Sequence, residues 1–186
     1  MNGVVRRREL MAIDGGKAIT DYPERIKIVF KTTSANESVS LGYFFNFYIS
    51  SILLDGSPVS GTGNNPDITI PTAGEHTIYI KLKTTPTYNS SNYNMKVPPQ
   101  SYVRLPENFG IKYGLSGSYQ LGFLVNGSNY PKILECLNAV PFKIGSNWLG
   151  NLNAFCSEFR IPKGSKQAYI NAGYSNNKLI EIKYKL

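Results

Sequence analysis

Ile26-Lys27-Ile28-Val29-Phe30-Lys31 and His76-Thr77-Ile78-Tyr79-Ile80-Lys81-Leu82-Lys83 are the two stretches whose reading decides the fold. Side chains leave a β-strand on alternate sides. Ile26, Ile28 and Phe30 therefore share one face of the first stretch, while Lys27, Val29 and Lys31 take the other. In the second, Ile78, Ile80 and Leu82 point inward, and Thr77, Tyr79, Lys81 and Lys83 point outward. A helix would scatter these residues around its axis, whereas a period of two collects them. Each stretch reads as a strand with one dry face and one wet face, the pattern of an antiparallel sheet laid over a core.

Working outward, Thr32 to Ser40 reads as a polar connection. Tyr43–Ile49 and Ile52–Leu54 are aromatic and β-branched enough for strands, with a bend or bulge at Ser50-Ser51 and a stop at Asp55-Gly56. Ser57 to Pro66 is a loop rich in Gly, Asn and Pro, Asp67–Ile70 is a short strand, and Gly74-Glu75 turns the chain before His76. Short strands separated by turn signals predict a small β-sandwich over residues 25–83. Residues 84–100 form an irregular connecting loop that carries Tyr88 and Tyr93 and ends in Pro98-Pro99-Gln100. Beyond it, Tyr102–Leu105, Gly110–Tyr113 and Tyr119–Val125 are further short strands. Ser165 is placed to cap a helix over Lys166–Ala172, Gly173 to end it, and Leu179–Ile182 to return as a last strand.

Residues 1–24 have little core to fold around. A short helix over Arg6–Ala12 would be marginal alone, and Asp14-Gly15-Gly16 reads as a hinge. The arm is either an anchor that orders on a partner, through Val4, Val5, Arg6, Arg7, Arg8 and Leu10, or a loose terminus. If it is an anchor, the three arginines suit charge-assisted bonds to carboxylates or carbonyls.

Composition narrows the function classes. The 186 residues are 41% hydrophobic and only 17% charged, with 17 Gly, 11 Pro and 13 Tyr, which favours strands and loops over a charged helical bundle or a disordered chain. No apolar run approaches the ~18–20 residues that cross a bilayer, and no signal-peptide apolar segment follows the first basic cluster. The formal charge of +8 makes nucleic acid the first partner to consider. Outside Arg6–Arg8, however, the basic residues are dispersed, with neither the aromatic–basic motif of an RNA-recognition fold nor zinc-finger spacing, so no specific nucleic-acid binding is expected. Cys136 and Cys156 form no CxxC knuckle and read as buried thiols more readily than as a disulfide.

The C-terminal residues 131–186 resemble a known family. Cys136-Leu137 closes a strand, Ile144-Gly145 makes a turn, Phe159-Arg160-Ile161-Pro162 is a strand ending in Pro, and Gly164-Ser165 leads to Ala168-Tyr169. This order resembles the closing unit of the BspA-like leucine-rich-repeat proteins of gut bacteria and their phages. Trp148-Leu149 stands where that family has Ala-Phe, and tandem repeats of fixed period are not found upstream. A weaker resemblance links Ser51–Gly56 and Thr72–Ile78 to the immunoglobulin-like leader of the same family, and Val4–Met11 to N-terminal peptides of phage virion proteins. The resemblance implies a mainly β protein: a small immunoglobulin-like β-sandwich, then a degenerate leucine-rich-repeat-type unit over residues 101–186 with a short C-terminal helix.

Catalytic constellations are hard to assemble from this chain. Its one histidine, His76, falls in a turn before a strand, with Glu75 as its acidic neighbour. The 12 carboxylates are scattered singly, and neither Asp14-Gly15-Gly16 nor Gly61-Thr62-Gly63 continues into a phosphate-binding motif. No enzyme activity, cofactor or metal is expected. Tyr88, Tyr93 and Tyr102 are candidates for a contact surface toward protein or sugar, or else for packing at a domain junction. The expected function is that of a phage virion protein, structural, decorative or adhesive, attached to other virion proteins by its arm and compatible with a homo-oligomer. The alternative is a bacterial cell-surface adhesin for a host protein or glycan, and a carbohydrate-active enzyme stands third.

Overall fold

The computed structural model describes residues 12–14, 17–19, 21–42, 49–60, 67–82, 92–107, 109, 120–123, 130–141 and 146–183. The first elements are β1 (Ala12–Asp14) and β2 (Lys17–Ile19), paired antiparallel with Asp14 opposite Lys17. Of the stretch expected to be a hinge, Asp14 is the last residue of β1, and Gly15 and Gly16 lie outside the described residues. Ala12, expected in a helix, is on β1, while Arg6 to Met11 lie outside the described residues.

Alternation builds the next elements. β3 (Ile26–Thr32) buries Ile26, Ile28 and Phe30 as its period requires. β4 (Glu37–Ser40) falls in the stretch expected to be a polar connection, and buries Val39 between polar neighbours. β5 (Ile49–Leu54) and β6 (Ser57–Val59) form a hairpin whose two loop residues, Asp55 and Gly56, both have positive φ, 49° and 84°. This is the left-handed pair that suits the twist of a tight hairpin. β6 corrects the loop expected from Ser57 onward, and the register shift between Ile49 and Ser51 is the irregularity expected at Ser50-Ser51. β7 (Asp67–Ile70) follows, and then β8, which starts at Gly74 and runs to Leu82, so Gly74 and Glu75 are strand residues and not a turn.

In the second half, β9 (Asn92–Met95) pairs in parallel with β11 (Gln120–Phe123), and β10 (Tyr102–Leu105) lies between them in sequence. β12 (Ile133–Cys136), α1 (Ser146–Phe155), β13 (Glu158–Pro162), α2 (Lys166–Asn171), a 3-10 turn (Asn176–Lys178) and β14 (Leu179–Ile182) complete the described chain.

Eight strands form one sheet in the order β14-β13-β12-β10-β3-β8-β5-β6. From β6 to β10 every neighbour is antiparallel; from β10 to β14 every neighbour is parallel. β10 is the strand at which the direction rule changes. Parallel neighbours need crossover connections, and α1 and α2 lie in the last two of them. The parallel strands start at Tyr102, Ile133, Glu158 and Leu179, intervals that shorten along the chain. A fixed-period search has nothing regular to find there.

The small antiparallel pair β4–β7 belongs to the same core as the large sheet. Val39, Ile68 and Ile70 cluster with Ile26, Ile28, Ile78 and Ile80, and the cluster continues through Val103, Leu134, Phe159, Leu152 and Tyr169. The residues expected as a sandwich and those expected as a second unit thus share a sheet, through β3–β10, and a core. Cys136 and Cys156 are buried free thiols, and burial pushes both up to about 12.

Polar side chains finish the helix ends. Ser165 does not cap α2; its hydroxyl donates back to the Pro162 carbonyl at 2.6 Å. The carboxylate of Glu181 on β14 instead accepts from the amides of Gly164, at 2.8 Å, and Lys166, at 3.2 Å. Gly173, at φ 94°, turns the chain after α2 as expected. At the other end of α1, the Lys178 ammonium donates to the carbonyls of Asn153 and, at 2.7 Å, Cys156. A cation there complements the negative end of the helix. Lys178→Met keeps the aliphatic stem and removes those bonds; we expect a loss of about 1–2 kcal/mol in stability, read by urea titration at neutral pH.

Candidate functional site

Residues opposite one another in a sheet lie on the same face, and on the face away from the core the register draws a line across the strands. Tyr79 on β8 opposes Lys27 on β3, Lys27 opposes Arg104 on β10, Arg104 opposes Glu135 on β12, Glu135 opposes Arg160 on β13, and Arg160 opposes Ile180 on β14. The adjacent line runs Thr77, Val29, Tyr102, Ile133, Glu158. Across β3, β10, β12 and β13 the central line is therefore entirely charged, with alternating sign from β10 onward.

The centre of this face is covered. Arg104 is 6% exposed and Glu135 8% exposed. Tyr79, expected to point into water, is 2% exposed. The alternation placed Tyr79 on the correct face, but Asp21 and Tyr22 lie against that face. Arg104 grips Asp21 with both terminal nitrogens, at 2.5 and 2.9 Å, and donates at 3.1 Å to the Tyr22 carbonyl. The Tyr79 hydroxyl donates to Asp21 at 3.2 Å, and the Lys27 ammonium stands 3.5 Å away. Tyr22 packs edge-on against the Tyr79 ring at 5.0 Å, and Arg25 lies over the Tyr22 ring. Two-pronged guanidinium–carboxylate contact fixes orientation as well as distance.

Burial alone would raise the Asp21 carboxyl, but the hydrogen bonds and charge of Arg104, with help from Lys27 and Tyr79, hold it below the usual carboxylate range. Burial also acts against the charge on Arg104, and the Asp21 contact outweighs it and raises that group. Burial and the Asp21 charge raise the Tyr79 phenol, which stays a hydrogen-bond donor.

Toward β14 the face opens. Tyr102 is half-buried and donates its hydroxyl to Glu135 at 2.8 Å. Arg160 and Glu158 pair at 3.0 Å, with side chains 36% and 33% exposed. Ile180, at 45%, stands beside them. Tyr102, predicted as a contact residue, therefore sits where the covered centre gives way to the open part. Tyr93 is on β9, opposite Leu121 on β11. Tyr88 and the predicted anchor residues Val4, Val5, Arg6, Arg7, Arg8 and Leu10 lie outside the described residues.

His76 also differs from expectation. It lies within β8, and the acid beside it is Asp55, 2.7 Å from Nδ1, while Nε2 meets the Thr72 carbonyl at 2.9 Å. Both ring nitrogens are occupied by contacts within the fold. Among the described residues no group of three or more metal-ligating side chains gathers, and no helix is long and apolar enough to cross a membrane. What the outer face offers chemically is paired charge, a tyrosine edge and a small apolar border, which are means of contact. Compared with protein-family models, curated proteins and solved structures, the chain finds no match in any of the three.

Breaking a buried ion pair by removing one partner costs about 3–5 kcal/mol because the other charge is left behind. Arg104→Met is expected to fall in that range, and Asp21→Asn/Arg104→Met to lose less than the two single changes together. Because the folded Asp21 carboxyl lies below its unfolded value, its contribution is present above pH ~4 and disappears as pH falls through the folded value. Urea titrations at pH 7 and pH 3 test both statements: the destabilisation by Asp21→Asn should shrink at the lower pH.

Proposed function

We propose that this chain is a non-enzymatic phage virion protein, structural, decorative or adhesive, held to the particle by its N-terminal arm, residues 1–24, and displaying a β-rich binding module. The observation that carries this reading is the attachment of Asp21 and Tyr22 to Arg104 and Tyr79. An anchoring arm transmits load only if its root is rigid, and this root is fixed by charge-assisted bonds at the middle of the largest sheet. The resemblance of residues 131–186 to the BspA-like closing unit supports the second part of the reading, with the immunoglobulin-like and leucine-rich-repeat-type architectures as the finer description of its two halves. The parallel strands joined through α1 and α2 suit that description. Tyr102, Arg160, Glu158 and Ile180 are then the surface offered to a partner, either another virion protein or a host-surface protein or glycan.

Mass spectrometry of purified particles beside host envelope fractions tests the assignment. The full-length chain is expected in particles at a copy number that fits capsid or tail symmetry, and a variant lacking residues 1–16 is expected to be lost from them while unfolding at the same temperature. Residence in the host envelope alone would replace this reading with the cell-surface adhesin. Undiminished incorporation of the shortened chain would remove the anchoring role.

A further inference from the structure

His76 stands on the core-facing side of β8, opposite Phe30 on β3, and is 5% exposed. Its ring lies between two acceptors, the Asp55 carboxylate at 2.7 Å from Nδ1 and the Thr72 carbonyl at 2.9 Å from Nε2. A neutral imidazole has one N–H; only the imidazolium donates from both nitrogens. The site is therefore built for the charged ring. We propose that His76 is a pH-sensitive clip, which in its doubly protonated form fastens the β5–β6 turn and the β7–β8 connection to the main sheet, and which frees that connection when the proton leaves.

The two sides of the clip are unequal. Asp55 is tied to β8 independently of the ring, since its amide donates to the Thr77 carbonyl at 2.8 Å and its Oδ1 accepts from the Thr77 amide at 2.7 Å. The neutral ring keeps its Nδ1–H toward this carboxylate and turns the Nε2 lone pair onto the Thr72 carbonyl. Repulsion then replaces a hydrogen bond at Thr72, leaving the Thr32 hydroxyl, at 2.9 Å, to hold that carbonyl. Thr72 follows β7 closely, and β7 carries Ile68 and Ile70 into the core beside β4. Loosening at Thr72 is thus delivered to the small sheet.

Asp55 is the charged group in contact with the ring. On β3 and β8 the adjacent charges, Lys31 and Glu75, oppose each other on the other face of the sheet. On the small sheet, the Glu37 carboxylate is taken up by Thr33 and Ser34, and Asp67 lies at the far end of β7. Burial disfavours the charged ring, but the bonds to Asp55 and Thr72 and the Asp55 charge outweigh it, so the folded ring holds its proton above the ordinary imidazole value of 6.5. The stabilisation is fully present below that value and is lost as pH rises through the folded one.

His76 is the only histidine, so its ring resonances need no assignment by mutation. NMR titration of the full chain and of Asp55→Asn, together with amide exchange of residues 67–74 in the full chain and in His76→Gln at pH 6 and pH 9, tests the proposal. Rates are corrected for the intrinsic base-catalysed term. The wild-type ring is expected to titrate above 6.5 and the Asp55→Asn ring lower. Protection of residues 67–74 should fall across the wild-type titration and stay level in His76→Gln. A wild-type midpoint at or below the ordinary value, or equal loss of protection in His76→Gln, would overturn the clip. Should His76→Gln not fold, Asp55→Asn decides: an unmoved midpoint refutes it.

Discussion

The grip of Arg104 on Asp21 is the contact on which the rest of the outer face depends. Arg104 sits on β10, the strand that is antiparallel to β3 on one side and parallel to β12 on the other. A guanidinium this deeply buried is costly unless it is paired; Asp21 together with the Tyr22 carbonyl takes up both terminal nitrogens, while Nε finds no partner among the described residues. The same contact draws Tyr22 over Tyr79 and so makes a dry layer on the second face of a sheet whose first face is the core. The sheet is thereby held from both sides at the place where its topology changes.

On either side of that strand the polar groups are used differently. In the antiparallel half, Asp55 and His76 tie a hairpin turn to β8, and Thr32 secures the neighbouring bend. In the parallel half, Glu181 serves the start of α2 and Lys178 the end of α1, so β14 and the turn before it close both helices. These side chains are committed to the fold. Tyr102, Arg160, Glu158 and Ile180 retain exposed surface, and they lie along the parallel half. This division supports a display function for that half and an attachment function for the segment that enters at Asp21.

Much of the strand content was legible because burial on one face imposes a period of two. β3, β7, β8 and β10 carry it, β14 does not, and the stops at Asp55-Gly56 and at Gly173 were legible from turn chemistry. β4 and β6 were missed because each buries little and is flanked by Ser, Asn and Gly, residues that also make loops. Alternation gave the face on which Tyr79 lies but carried no information about what covers it. The Asp21–Arg104 and Asp55–His76 contacts join residues far apart in sequence, and no local pattern marks either pair. Ser165 shows the opposite failure: the local capping signal is present, but the tertiary contact from Glu181 takes the amides and leaves the hydroxyl to Pro162.

If β10 joins the two halves into one cooperative sheet, they should unfold together. The most direct measurement is equilibrium unfolding in urea followed at once by fluorescence of Trp148, the single tryptophan, which lies on α1 in the parallel half, and by amide exchange in β8 of the antiparallel half. One shared transition with the same midpoint and slope is the predicted result. Two separated transitions would contradict it, and would mean that β3 and β10 are neighbours without being a structural unit.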